Sequence, residues 1–512
     1  MSDRRWFRAG DWNAFFALMF DNVANLVILA AILIGAFRFP KEIVLYRMVP
    51  GTAIGVLIGD LIYAGMARRL ARRTGRDDVT AMPLGLNAPS VFGMSFAVLG
   101  PAYLATGDAI LCWKMGMAVT VLVGLLKIGL SFAGNAVRAS VPRAALLGSI
   151  GGAGLALIGL LPLFKVFAQP LVGLVALGVI LVTLLGRTRL PWGLPAVLVS
   201  VILGVAVYYV TQLLGVASPL AAAPATVARQ LHVAVPWPSL AFLGGLSLAW
   251  GYLPIAIPFA IATIVGGVDN TESAAAAGDE YDTRAILATE GLATLAAGLC
   301  GGVVESTPYI GHPAYKRMGA GAGYAAATGV FIGLGGMLGY LPFLVDAIPA
   351  AAVAPILLYI GIEVMSQAFT ATVSRHAPAV ALATLPSLAF VLSVEMNPLL
   401  PSAAASLSSE TAESVAVLRL LASGFIITAV LWGAAAAAVI DRSFRQSAFY
   451  LWAAAALCLF GIIHSPTEQA TLFLPWRGAP AVSFHIAAAY VLLGIIVLSG
   501  RLLPADTEAP VS

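Results

Sequence analysis

Several acidic side chains lie inside long apolar stretches of the chain, where a charge is costly. Asp21 lies in the first stretch, and Asp269 and Glu272 lie in a later one. An ionised carboxylate near the centre of a bilayer costs about 2.5 to 3.5 kcal/mol on insertion scales, so each needs a partner, a proton or a function. Asp269 and Glu272 would share one helix face, where their repulsion would let the pair carry a proton or a cation. Alternatively, Glu272 lies at the aqueous end of its helix, beside the acids at 279–282.

A second polar group interrupts the apolar stretch at 303–318. Residues 305–313 read ESTPYIGHP, and the two prolines remove backbone donors, so this segment must line protein or a wet cavity rather than lipid. A short helix that starts near Tyr309 would direct its N-terminus at Glu305 and Thr307, at the mouth of a site. His312 is explained equally well as a proton relay and as a side chain that ties down a helix.

The stretch MPLGLNAPS at 82–90 offers a matching interruption, with Asn87 and Ser90 between or beside its prolines. Two opposed helix ends would cradle a small polar or anionic solute. Such paired interruptions are typical of the midplane binding site of a secondary transporter.

Other charged residues are better explained by structure. Asp60, Glu290 and Glu363 lie singly in apolar helices, and Lys127 is an ion-pair partner for one of them. The arginines at 68–76 would bind anionic lipid or nucleic acid, or anchor the topology from the cytoplasmic side, and the last explanation is favoured.

The elements that hold these side chains follow from the composition. Of the 512 residues, 60% are hydrophobic and only 10% are charged, and the mean hydropathy is +0.95. Soluble proteins are about a quarter charged, so a set of soluble domains is excluded. The apolar stretches are about 18 to 26 residues long, enough to cross a bilayer as helix, and they lack the short alternating segments of a membrane barrel. The chain is therefore expected to be an all-α polytopic membrane protein. Its separated cysteines indicate neither a disulfide framework nor a metal site.

The polar breaks divide the chain into about sixteen candidate spans, of which the third is at 81–104 and the tenth at 303–318. With the N-terminus inside, most Lys and Arg residues fall on the cytoplasmic side. This predicts an integral, multi-pass protein of the cell (inner) membrane with both termini in the cytoplasm. The polar start leads into a span too long for a signal h-region, so no cleavable signal peptide is expected.

An Asp-Asn pair inside an apolar helix occurs twice, at 21–22 and at 269–270. The pairs are about seven spans apart, and an odd offset reverses direction across the membrane, so they would be equivalent points of two inverted repeats. The pattern predicts a 7+7 inverted-repeat transporter with half-helices in segments 3 and 10. The predicted divisions are a first repeat at 1–216, a second repeat at 240–440, and two additional C-terminal spans with a tail at 445–512.

Four stretches, 82–92, 268–278, 305–324 and 347–355, carry a likeness to a known family. Through them the chain resembles the nucleobase-cation symporter family of xanthine/uracil permeases, and within it the hypoxanthine/guanine (azaguanine-type) branch. The resemblance implies a core domain and a gate domain, often in a dimer, with short strands that lead into half-helices at segments three and ten. It also implies that an acid in segment eight and a carboxylate in segment ten bind the base. Asp269 falls on the first, but Gly311 stands where the second should be, so Glu305 would replace it or the substrate differs.

We therefore expect a secondary active transporter that imports a nucleobase-like heterocycle, a purine rather than uracil, by symport with a proton or sodium. A transporter or exchanger of sulfate, bicarbonate or a carboxylate on the same fold is the alternative, which the acids at the site oppose. No enzymatic activity, cofactor, metal or nucleic-acid partner is expected. The predicted substrate-binding residues are Asp269, Glu305, Asn87, Ser90, Thr307, Tyr309 and Gly311, and the predicted ion-coupling residues are Glu272, His312 and Asp21.

Overall fold

The computed structural model describes residues 6–216, 218, 220, 231–397, 399–400, 408–467 and 471–503, so the end of the predicted C-terminal tail lies outside the described residues. Within these ranges ten helices are long and apolar enough to cross a membrane, or eleven if a pair bent by 77° forms one span. This confirms the predicted all-α polytopic class.

The elements of the first half, in chain order, are α1 (Ala9–Ala36), α2 (Lys41–Thr74), β1 (Leu84–Gly85), α3 (Ala88–Thr106), α4 (Ala109–Ser131), α5 (Gly134–Ser140), α6 (Arg143–Ala168), α7 (Pro170–Leu185), α8 (Ala196–Leu213) and α9 (Ala241–Ala276). The elements of the second half are α10 (Thr283–Leu299), β2 (Thr307–Pro308), α11 (His312–Arg317), α12 (Gly323–Leu338), α13 (Leu341–Ala347), α14 (Ala350–Thr370), α15 (Ser374–Met396), α16 (Ser409–Ala422), α17 (Phe425–Ile440), α18 (Phe444–Leu459) and α19 (Ala481–Leu502).

The segment at 303–318 is not one continuous helix. It consists of β2 and the six-residue helix α11, joined by three residues. Pro308 and Pro313 lack the N–H that a continuous helix would use, and the backbone of β2 instead pairs with β1. Segment three is built alike, because β1 precedes the long helix α3.

The described chain forms two compact units, and the divisions fall within α5, α6 and α14. Unit 1 comprises Met1–Arg138 and Gly154–Gln367 and contains both strands. In unit 1, α4 packs along α10 and α9, and α2 packs along α12 and α10. Glycines permit close approach of these helices, since a Cβ on Gly124 would lie 2.7 Å from the backbone nitrogen of Leu295.

Unit 2 comprises Ala139–Ala153 and Ala368–Ser512 and contains α15 to α19. In this unit α15 packs on α17, and α18 packs on α19. The indole N–H of Trp432 donates to the Tyr490 hydroxyl at 2.7 Å, and Nε2 of His464 lies 2.7 Å from the same oxygen. These paired polar groups fasten the two additional C-terminal spans within the unit. The predicted repeat boundaries at 216 and 240 do not coincide with the units and stay a prediction.

Candidate functional site

The two interrupted segments meet in unit 1. Strands β1 and β2 are antiparallel, with Leu84 opposite Pro308 and Gly85 opposite Thr307. The N–H of Tyr309 continues the pairing by donating to the backbone of segment three at 2.9 Å. The pairing of segments three and ten agrees with the half-helix arrangement that the sequence predicts.

Asparagine side chains on α1 and α9 form hydrogen bonds with the backbone of the two interrupted segments, where each helix is broken. The Oδ1 atom of Asn22 accepts the N–H of Leu86 at 3.0 Å, and Nδ2 of Asn25 donates to the carbonyl of Leu86 at 3.1 Å. On α9, Nδ2 of Asn270 donates to the carbonyl of Pro308 at 3.2 Å. Backbone groups freed inside a bilayer need such partners because water does not reach them. The two Asp-Asn pairs therefore lie at corresponding breaks, as the inverted-repeat prediction requires.

Asn87 and Thr307 join the two segments through their side chains. The Nδ2 atom of Asn87 donates to Oγ1 of Thr307 at 3.2 Å, and its Oδ1 accepts the N–H of Ser90 at 2.7 Å, which caps α3. These predicted substrate-binding residues form the frame of the site, and the hydroxyl of Ser90 points to an acid on the opposite segment.

That acid is Glu305, whose carboxylate is the centre of the site. It is 6% exposed, and it accepts hydrogen bonds from the hydroxyls of Ser90 at 2.6 Å and Thr263 at 3.2 Å. The Nζ atom of Lys127 lies 2.6 Å from its Oε2 atom. The three partners belong to α3, α9 and α4, so the carboxylate connects the break in segment ten to three long helices.

Lys127 is completely buried and lies between two carboxylates. Its Nζ atom is 2.6 Å from Oε1 of Glu290, as it is from Glu305, and it donates to the carbonyl of Ser306 at 3.4 Å. The hydroxyl of Thr294 donates to the same carbonyl and accepts the N–H of Ser306, both at 3.1 Å. Glu290 is therefore paired with Lys127, as an acid in an apolar helix requires. Because Lys127 also contacts Glu305, this ion pair is connected to the candidate site.

A small cavity adjoins the Glu305 carboxylate. Its volume is about 20 Å³, and it is lined by Ser90, Glu305, Phe259 and aliphatic side chains of α3 and α4. That volume holds about one water molecule. Gly93 of α3 faces Phe259 so closely that a Cβ would lie 3.2 Å from the ring. A molecule much larger than water can therefore enter only if α3 and α9 move apart.

Asp269 is 1% exposed and lies on α9 beside Asn270. The described contacts of Glu305 involve Thr263 of this helix and do not include Asp269. Asp269 lies six positions after Thr263. Because a helix turns by about 100° per residue, the two side chains point to different faces of α9. The predicted contact between Asp269 and a substrate stays a prediction.

Glu272 lies near the end of α9 and pairs with Arg138 of α5. The Oε2 atom of Glu272 is 2.6 Å from Nε of Arg138, and Nη1 of the same arginine is 2.7 Å from Oε1 of Glu280. Burial opposes the charge of Arg138, but the two carboxylates raise its pKa above the ordinary value. The structure places Glu272 in this pair at the helix end and not in the Glu305 cluster, so its role in ion coupling stays a prediction.

His312 belongs to a second charged cluster, at the loops 75–83 and 277–282. Its Nε2 atom is 3.3 Å from Oδ2 of Asp279, and Nζ of Lys316 is 2.7 Å from Oδ1. Burial raises the pKa of Asp279, but the hydrogen bonds and charges of His312 and Lys316 outweigh this and hold it below the ordinary value. The cluster fastens α11 to both loops. The helix-fastening explanation of His312 matches these contacts, and its role in ion coupling stays a prediction.

Asp21 and Tyr309 are neighbours at the other side of the break. The Oδ2 atom of Asp21 accepts a hydrogen bond from Nδ2 of Asn25 at 3.0 Å, and the carboxylate interacts with the hydroxyl of Tyr309. The pair connects α1 to segment ten, and the predicted roles of both residues stay predictions.

Gly311 explains why the acid implied by the resemblance is absent from this position. The residue is buried at the start of α11, and a Cβ there would lie 3.1 Å from the ring of Tyr315 and 3.2 Å from Ile360. A side chain at this point would press on both neighbours, and the acid of segment ten is Glu305, before β2.

One member of the site, Thr263, is not singled out by the sequence, and two others are visible there without their place in the site. Thr263 lies in an apolar helix and carries no pattern that indicates a role. Lys127 and Glu290 are visible only as isolated charges in apolar spans, and the cost of such charges was the signal that they need partners.

Comparisons with known proteins give a likeness among solved structures. No protein-family model and no curated protein matches the chain. Among solved structures, the chain is similar to the transmembrane domain of a cyanobacterium bicarbonate transporter, BicA, with a TM-score of 0.44 and 16% sequence identity, over 76% of this chain and 96% of that chain. The resemblance to nucleobase permeases stays an expectation.

Proposed function

We propose that the chain is a secondary active transporter that moves a small, uncharged heterocycle, such as a nucleobase, together with a proton. The observation that carries the proposal is the buried Glu305 carboxylate, which lies between the two interrupted segments and beside a cavity. Substrate sites of secondary transporters occur at such breaks near the bilayer midplane.

The charge balance favours a proton as the coupling ion. When ionised, Glu290 and Glu305 carry two negative charges and Lys127 carries one positive charge, so the buried set has one excess negative charge. An uncompensated charge is costly in this surrounding, and one proton removes the excess. Because the three groups are in contact, the proton belongs to the set rather than to one residue.

The partners of Glu305 suit a ring with N–H groups. Both carboxylate oxygens already accept hydrogen bonds from the neutral hydroxyls of Ser90 and Thr263, and two ring N–H donors can replace them. Phe259 and the aliphatic side chains of the cavity provide an apolar face for a planar ring. An anion would instead meet the excess negative charge.

Transport of such a ring requires that the site opens. The cavity of about 20 Å³ is far below the roughly 300 Å³ of small-molecule sites, so binding must separate α3 from α9. Movement of one group of helices against another around a central site is the way in which inverted-repeat transporters alternate between the two sides.

Uptake of radiolabelled hypoxanthine, xanthine and uracil into proteoliposomes, with an inward proton gradient, tests the proposal. Glu305→Gln removes the charge and one acceptor, and the loss of a charged hydrogen bond of about 1.5–3 kcal/mol predicts an uptake about ten- to 100-fold weaker. Glu395→Gln makes the same change at an exposed position of α15 and serves as the control. Full uptake by Glu305→Gln would show that the carboxylate does not bind the substrate, and Asp269→Asn in the same assay decides the role of Asp269.

A small-anion transporter is the second candidate, and the completely buried Lys127 favours it. A cation in this position would hold sulfate, bicarbonate or a carboxylate if the neighbouring acids were protonated. The two candidates predict opposite results. In an anion transporter Lys127→Met abolishes anion uptake and Glu305→Gln preserves or increases it, whereas in a heterocycle transporter neither the wild type nor Glu305→Gln moves anions.

A further inference from the structure

A second cavity of unit 1 lies at the end of α2 and has a basic lining. It shares no lining residue with the Glu305 cavity, and its volume is about 320 Å³. Arg8 precedes α1, Arg68 and Arg72 lie in the last turns of α2, and Arg76 follows that helix, while Asp77 is the acid of the lining. A volume of this size is at the lower end of the range for small-molecule sites.

Two of the four arginines that line this cavity are not neutralised by ion pairs with the described residues. Arg76 is balanced, because it lies 2.8 Å from Asp78 and 3.2 Å from Asp279. Arg68 and Arg72 are one helical turn apart and make no ion pair with any residue that the structure describes. The cavity therefore keeps an excess of positive charge even when its own aspartate is counted.

Trp6 forms an apolar wall and fixes one guanidinium. The Cζ atom of Arg68 lies 3.5 Å from the centroid of the Trp6 ring, a cation–π contact that restricts the rotation of the arginine. Ala67, Ala71 and Val79 extend the apolar side of the lining. The cavity thus presents fixed positive charge and apolar surface together.

We propose that this cavity binds the phosphate group of an amphipathic anion, with an anionic phospholipid headgroup as the source that fits its position. Guanidinium groups bind phosphate oxygens through paired N–H donors. The site lies at the end of a membrane-crossing helix, where headgroups are found, and arginine clusters and tryptophan at that level bind anionic lipid and the interface. A soluble phosphate monoester has the same phosphate chemistry and is separated from the lipid by the experiment.

The helix supplies its own control. Arg69 and Arg73 lie in the same turns of α2 as Arg68 and Arg72, but they do not line the cavity. The variants R68Q/R72Q and R69Q/R73Q therefore remove equal charge from the same segment. A topology anchor or a diffuse electrostatic attraction predicts the same effect for both, whereas a phosphate site predicts an effect only for the first.

Binding of phosphatidylglycerol and phosphatidylcholine to the purified full chain in detergent, measured by native mass spectrometry, tests the proposal. We expect phosphatidylglycerol to bind more tightly than phosphatidylcholine, R68Q/R72Q to weaken it at least about tenfold, and R69Q/R73Q to change it less than about twofold. R68K/R72K keeps the charge but loses the paired donors, so an intermediate loss of about threefold is expected, and this variant serves if R68Q/R72Q does not fold.

Competition with glycerol 3-phosphate distinguishes a soluble phosphate monoester from a phospholipid as the ligand of this cavity. Displacement of phosphatidylglycerol by millimolar glycerol 3-phosphate assigns the site to a soluble phosphate monoester, and retention of the lipid assigns it to the phospholipid. Equal losses in the two glutamine double variants, or equal binding of the anionic and the neutral lipid, overturn the proposal.

Discussion

Replacing Lys127 by methionine is the sharpest test of the buried charge set. Methionine has a similar length and is apolar, so the substitution removes the charge with little change in packing. Among the described residues, Lys127 is the cation in contact with Glu290 and Glu305, at 2.6 Å from each. Without it, the two buried carboxylates have no positive charge between them.

The expected loss in the free energy of unfolding follows from the burial of these groups and from the partners that remain. Lys127 and Glu290 are completely buried, and removal of one partner of a buried ion pair costs about 3–5 kcal/mol. The second oxygen of Glu290 has no hydrogen-bond partner among the described residues, so nothing compensates this acid, whereas Glu305 keeps the hydroxyls of Ser90 and Thr263. We therefore expect Lys127→Met to lower the free energy of unfolding by about 3–5 kcal/mol.

The matched variant is Lys127→Met with Glu290→Met. It replaces the pair by apolar side chains and leaves Glu305 with its two hydroxyl donors, so most of the lost stability should return, because apolar replacement of a whole buried pair is often neutral. Unfolding by SDS in mixed micelles measures all three proteins. A single variant within about 0.5 kcal/mol of the wild type, or a double variant no more stable than the single one, would refute the reasoning.

Local geometry supports four further predictions, which thermal unfolding can check. Gly85→Ala should destabilise by about 1–3 kcal/mol, because its Cβ would lie 2.6 Å from the asparagine oxygen of α1 that holds the break. Gly65→Ala has nothing within 4 Å and should leave stability unchanged or raise it by up to about 1 kcal/mol. A hydrogen bond from the neighbouring arginine lowers the pKa of Asp78 to about 2, so its stabilising effect is complete above the ordinary value of 3.8 and is lost as the pH falls towards 2. Asp78→Asn should flatten the stability profile between pH 4 and 2, and an unchanged profile would contradict the ion pair. Arg138→Gln removes the cation paired with Glu272 and should cost about 1–3 kcal/mol, most of which Glu272→Gln in the same protein should restore.

The features visible in the sequence are those with local causes. Proline and glycine act on their own backbone, so the interruptions at 82–90 and 305–313 could be located and paired before any contact was known. Hydrophobic length indicates whether a helix can span, and it predicts the all-α polytopic class correctly. It predicts about sixteen spans, however, whereas ten or eleven of the described helices are long and apolar enough to cross, because interrupted stretches such as 303–318 form short elements instead. The strand pairing between the segments came only from the resemblance, because a two-residue strand has no periodic pattern.

The partners of Glu305 could not be predicted in the same way. Lys127 and Glu290 are 163 residues apart in the chain, and only the packing of α4 on α10 brings them together. A single lysine in an apolar span indicates that a counter-ion exists without indicating which acid it is. The sequence also does not predict which face of α9 carries Asp269. In an apolar helix of 36 residues, no polar pattern indicates which side packs against segment ten.

The repeated Asp-Asn pairs show how backbone chemistry selects a side chain at a break. The carbonyl of Leu86 needs a donor and its N–H needs an acceptor, and the amides of Asn25 and Asn22 supply one each. At the other break, Pro308 has no N–H and its carbonyl needs a donor, which Asn270 provides. An ionised carboxylate only accepts hydrogen bonds, so an aspartate could not satisfy either carbonyl. The donors at the two carbonyls are therefore amides, Asn25 on α1 and Asn270 on α9, and they fasten the two interrupted segments on which the Glu305 carboxylate and its cavity depend.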